Sequence, residues 1–108
     1  MKLALALGAV LFPLAAQADM DLVTQRYTCD RGVEIPVSYV RAEDSSVVVL
    51  TVEGRQIALY QDVASSGARY AWPSDGAGYV WLTKGAEAML FWKEGGTETL
   101  LLTCAEQT

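Results

Sequence analysis

The sequence predicts an all-β domain, a small eight-stranded antiparallel barrel closed by one disulfide. Three observations carry that prediction. Apolar residues come in short runs about ten residues apart, without the three-to-four spacing of an amphipathic helix. Clusters of Gly, Asp, Ser and Pro separate the runs and suit tight reversals of the chain. The only two cysteines, Cys29 and Cys104, lie far apart and close to the two ends of the patterned region.

The strands are expected over residues 24–30, 33–41, 46–53, 55–60, 68–72, 77–84, 87–92 and 97–104. Four reversals are marked by their residues: Glu53-Gly54, Pro73-Ser74-Asp75-Gly76, Lys84-Gly85 and Gly95-Gly96, which supply the positive-φ positions that tight hairpins need. Successive hairpins make a meander. With no helix to cover a sheet face, eight short strands are best closed on themselves, which also removes exposed edges. A sandwich is the alternative architecture. Six of the ten aromatics fall between Tyr70 and Trp92, including Trp72, Trp81 and Trp92. Tyr79 and Trp81 alternate with Val80 and Leu82, and Met89 and Phe91 with Leu90 and Trp92, so both faces of these strands are apolar. Most of these rings are expected inside the barrel, with some left over for an exposed rim.

The first 18 residues stand apart. Lys2 precedes an apolar run over residues 3–16, followed by Ala16-Gln17-Ala18, the pattern of a secretory signal and its cleavage site. The run is shorter than the roughly 20 residues a membrane-spanning helix needs. Cleavage after Ala18 leaves residues 19–108 as one domain of 90 residues, exported in soluble form, and Asp19 offers no cysteine for a lipid. The signal is bacterial in style and points to a periplasm. In that oxidising compartment Cys29 and Cys104 are expected to pair, and without a C-x-x-C spacing the bridge is structural.

Composition removes several functions. The 108 residues carry a net charge of −5, eight basic against thirteen acidic, and −6 once Lys2 is removed. Nucleic acid and anionic membrane surfaces demand clustered Lys and Arg, so neither is expected as a partner. Without a single histidine there is no Ser-His-Asp or Cys-His machinery and no His-ligated metal, and no metal or cofactor is expected.

Two segments combine hydroxyls, a glycine and a cation beside a turn: Ser66-Gly67-Ala68-Arg69-Tyr70 and Tyr79-Val80-Trp81-Leu82-Thr83-Lys84-Gly85. If the strands that contain them pair as a hairpin, the start of the first lies beside the end of the second. Ser66 and Thr83 then emerge at one rim. These tracts, the Glu87-Ala88-Met89-Leu90 that follows them and the Cys29/Cys104 bracket resemble the MliC/PliC family, the membrane-bound and periplasmic inhibitors of C-type lysozyme in Gram-negative bacteria. The resemblance implies an eight-stranded antiparallel barrel, in agreement with the strand count, and a protein inhibitor with no enzymatic activity. It implies that the loops of the S-G-x-x-Y and T-K-G tracts enter the lysozyme cleft, with Ser66, Gly67, Arg69, Tyr70, Thr83 and Lys84 as the binding residues. Ser66 is preferred to Ser65 because Gly67 follows it. The membrane-bound branch carries a lipid-modified cysteine where this chain has Asp19, which favours the soluble branch.

The chemistry is consistent with that implication. Lysozyme works with one protonated and one ionised carboxyl, so a blocker must both accept and donate hydrogen bonds, as hydroxyls do. Lys84 or Arg69 can add a charge-assisted bond, and an acidic chain is steered toward a basic lysozyme. Two other readings compete. Ser66 and Lys84 could form a hydrolytic dyad, but they lack S-x-x-K spacing and an oxyanion loop. A binding module could hold a cell-wall sugar or apolar ligand through Trp72, Trp81 or Trp92.

Overall fold

A computed structural model describes residues 20–108. The expected signal segment and its cleavage site therefore lie outside the described residues. Eight strands follow one another in sequence: β1 (Asp21–Cys29), β2 (Glu34–Arg41), β3 (Ser46–Val52), β4 (Arg55–Asp62), β5 (Ala68–Ala71), β6 (Gly78–Lys84), β7 (Glu87–Glu94) and β8 (Thr97–Glu106). Each pairs antiparallel with the next and β8 returns to β1, giving the closed barrel expected from the turn spacing.

The closing seam is short. It joins Tyr27, Thr28 and Cys29 to Glu106, Ala105 and Cys104, and the Cys29–Cys104 disulfide crosses it. The bridge thus fastens the one pairing that links the two ends of the barrel. In the loop-entropy account, closing 75 residues is worth about 4–5 kcal/mol.

Strand alternation builds the core. Ile35, Val37 and Tyr39 of β2 point inward beside Val48, Leu50 and Val52 of β3, while the residues between them face outward. The Gly95-Gly96 reversal has φ values of 60° and 80°, the doubly left-handed geometry of a two-residue hairpin loop that matches strand twist. Strand ends extend past their expected limits where a partner strand continues: β1 begins at Asp21 because Arg41 pairs with it, and β4 reaches Asp62 opposite Arg69. A one-turn 3-10 segment, Asp30–Gly32, separates β1 from β2, taking Asp30 out of the first strand.

The aromatic expectation needs correction. Of the six rings between Tyr70 and Trp92, only Tyr70 and Trp81 are buried; Trp72 is exposed, and Tyr79, Phe91 and Trp92 are partly covered. The remaining core aromatics, Tyr27 and Tyr39, come from β1 and β2. They meet at the barrel centre, where the Tyr27 and Tyr39 hydroxyls are 2.7 Å apart and the Trp81 Nε1–H donates to the Tyr39 hydroxyl at 3.0 Å. Trp81 could be buried because its indole N–H found that partner, as large polar-tipped rings require. Tyr79 and Trp92, on the same face as Trp81 and Leu90, are only partly covered and pack on one another edge-on at 5.0 Å, with Tyr79 also against the core.

Candidate functional site

The Ser66 and Thr83 tracts meet as the hairpin argument required. β5 pairs with β6 so that Ala68 lies opposite Thr83, which sets Ser66-Gly67 beside Thr83-Lys84 at one rim. Gly67 makes the contact possible. Its φ is +68°, and a Cβ at this position would overlap the Thr83 carbonyl oxygen while standing 3.2 Å from its carbon and 3.4 Å from the Lys84 Cβ. Only a glycine lets the two backbones approach so closely.

This contact arranges the hydroxyls. Ser66 is exposed, Thr83 is half-buried and Lys84 is exposed, and all three line one groove with Glu87, Met89 and Thr103. Ser66, and not Ser65, is among the residues of that groove. Glu87 sits there because it faces Lys84 across the Gly85-Ala86 reversal. Its place was readable from the T-K-G-x-E spacing; that of Thr103, contributed by β8, had no local signal.

Two residues of the expected set do something else. Arg69 folds back along the barrel wall, donating to both carboxylate oxygens of Glu98 at 2.6 and 3.0 Å and to Asp62 at 3.4 Å. The paired guanidinium holds the Glu98 carboxyl below its ordinary range. Asp62 is lowered too, first by the backbone N–H of Val63 and then by Arg69. With three of its five N–H donors so used, Arg69 anchors β5 to β4 and β8. Tyr70 is also placed differently, since strand alternation turns it inward from Arg69. It is 3% exposed and its ring packs 5.8 Å from that of Tyr39. Four of the six expected binding residues thus form one surface, while Arg69 and Tyr70 hold the strand that carries it.

What results is a disulfide-closed barrel with one tight pair of hydroxyl-bearing turns at its rim. The chain belongs to the family of membrane-bound lysozyme inhibitors of C-type lysozyme, MliC, whose model matches residues 27–99. The family is one of inhibitors, not enzymes. A curated relative, the membrane-bound lysozyme inhibitor of C-type lysozyme from Pseudomonas aeruginosa, is 35% identical over 97 residues, spanning 87% of this chain and 72% of the relative. Among solved structures, that of Pseudomonas aeruginosa MliC in complex with hen egg white lysozyme matches with a TM-score of 0.67 at 25% identity, over 94% of this chain and 99% of that one. The fold is shared as well with PliC, the periplasmic lysozyme inhibitor of C-type lysozyme from Salmonella typhimurium, with a TM-score of 0.67 at 24% identity, over 82% of this chain and all of that one.

Proposed function

We propose that this chain inhibits C-type lysozyme by placing the Ser66-Gly67 and Thr83-Lys84 turns in the lysozyme cleft, where their polar groups engage the catalytic carboxyls. The observation that supports this reading is the close approach of Gly67 to the Thr83 carbonyl, which brings the two tracts together at one rim. Ser66 and Thr83 offer hydroxyls that both accept and donate, suited to a protonated and an ionised carboxyl side by side. Lys84 brings a charge-assisted donor for the ionised one. The turns contain no glycosidic bond, so they occupy the cleft without being cut.

Among the described residues no helix is long and apolar enough to cross a membrane. In this reading the signal is cleaved after Ala18 and the domain works as a soluble periplasmic protein, since Asp19 stands where a lipid-bearing cysteine would be. Mass spectrometry of periplasmic protein checks this: a chain starting at Asp19 is expected, and an uncleaved or acylated one contradicts it.

The cleft insertion itself is tested with Ser66→Ala and Thr83→Ala. Each leaves a lysozyme polar group unsatisfied and is expected to weaken inhibition by about 1–3 kcal/mol, read as a rise in inhibition constant. Unchanged constants in both variants, with circular dichroism showing an intact fold, contradict the insertion.

A further inference from the structure

At the opposite end of β5 from Ser66 the barrel carries a second surface that cleft insertion leaves free. Tyr60 of β4 and Trp72, just after β5, are 47% and 51% exposed, and their rings meet at 5.8 Å and 65°. They wall a cleft whose other sides are Asp62, Ser74, Asp75 and Lys93. Trp72 also lines the neighbouring groove, together with Tyr79 and Trp92. Its indole therefore stands as a partition between two aromatic-walled grooves. Large rings left this exposed, in a barrel that buries Trp81 completely, mark a binding surface and not unfinished core.

The chemistry of the cleft narrows the ligand. Its two carboxylates outnumber the one lysine of the same wall, Lys93, whose Nζ donates to the Ser74 carbonyl at 3.3 Å; Asp62 is also bonded at 3.4 Å to Arg69, a cation it shares with Glu98. A mildly acidic site with many donors and acceptors disfavours an anion and suits a neutral, hydroxyl-rich molecule. The flat faces of the rings call for an apolar face on that molecule, and a β-linked pyranose presents both: axial C–H groups on its faces and hydroxyls at its edge. Two grooves divided by one indole suit a run of several sugars.

We infer that the Tyr60–Trp72 surface binds a neutral β-1,4-linked glycan strand, with Trp72 stacking on a sugar face and Asp75, Ser74 and Lys93 bonding to its edge. Trp72 follows the last residue of β5 and Ser66 precedes its first, so the Trp72 indole and the Ser66 turn lie at opposite ends of that strand. The inference does not depend on the cleft insertion.

The test is NMR titration of the mature chain, residues 19–108, with chitohexaose and separately with cellohexaose, no lysozyme being present. The Trp72 indole N–H resonance is expected to shift saturably, with a dissociation constant on the order of 1 mM or tighter, while that of the buried Trp81 stays put. Trp72→Ala is expected to weaken binding by at least roughly tenfold, Trp72→Tyr to retain most of it by keeping a stacking face, and both to inhibit lysozyme as the parent does. Saturation by either sugar supports the site, and preference for chitohexaose assigns part of the recognition to the acetamido group. Absence of a Trp72 shift with both sugars, a shift unaltered by Trp72→Ala as read at neighbouring amides, or saturation by hexalysine in place of the sugars overturns it.

Discussion

Gly67 is the residue on which the two tracts meet, and its lack of a side chain has a measurable consequence. Any Cβ there overlaps the Thr83 carbonyl and must also be held at positive φ, a conformation that costs an L-residue about 1–2 kcal/mol. Gly67→Ala is therefore expected to push the Ser66 turn off the Thr83 turn and raise the inhibition constant by roughly tenfold or more, while the core spectrum is kept. Full inhibition by Gly67→Ala would show that the two turns need not touch. At this scale the sequence was only half legible. The composition of S-G-A-R-Y identified the segment, but residues 69 and 70 of one strand cannot both face a partner, and it took the register to show that Tyr70 turns inward. The destination of Arg69 was hidden for another reason: Glu98 lies 29 residues away, with no spacing that points to it.

Among the elements, β5 is the critical one, only four residues long and yet the support of the Ser66 turn. Its ladders to β4 and β6 are reinforced by Arg69, and the solvent-accessible bidentate pair with Glu98 is worth at most about 1 kcal/mol. The pH dependence has a definite sign. The Glu98 carboxyl is depressed in the fold, so its contribution is complete above the ordinary carboxylate value near 4.3 and is lost as pH falls through the lower folded value. The melting difference between the parent and Arg69→Ala is expected to be present at pH 7 and to shrink toward pH 3. A difference that stays constant over that range would mean Arg69 acts through packing alone. All eight strands were legible, because period-two patterning and Gly-marked turns are local signals. The inward aromatic set was not, since β6 buries Val80 and Trp81 on opposite faces and a register shift falls at Leu90/Phe91. A strand apolar on both sides cannot declare which side is the core.

For the whole molecule, stability rests on the closed seam and the tyrosine-tryptophan cluster. Reducing Cys29–Cys104 is expected to lower the melting midpoint by about 15 °C or more, from the loop-closure magnitude and the size of the domain. An unshifted midpoint under reductant would mean that the β1–β8 pairing holds without the bridge. The Tyr27, Tyr39 and Tyr70 phenols are all raised, chiefly by burial. An acid raised in the fold stabilises it fully below its unfolded value, near 10, and that contribution disappears as pH rises toward the folded value. These phenols are therefore expected to ionise together with the loss of near-ultraviolet circular dichroism above pH 10. Tyrosinate absorbance from all three in a still-folded protein would contradict the buried network.

The central claim is that the rim of this barrel blocks lysozyme, and its most direct test is the lysis of bacterial cell walls by a C-type lysozyme, followed by turbidity with the chain of residues 19–108 added in increasing amounts. The account predicts dose-dependent loss of lysis approaching completion near one inhibitor per enzyme, with slower association at higher salt because the mature chain carries a charge of −6, seven basic against thirteen acidic residues. Undiminished lysis at about tenfold molar excess, far above a one-to-one stoichiometry at any affinity tighter than micromolar, would contradict it.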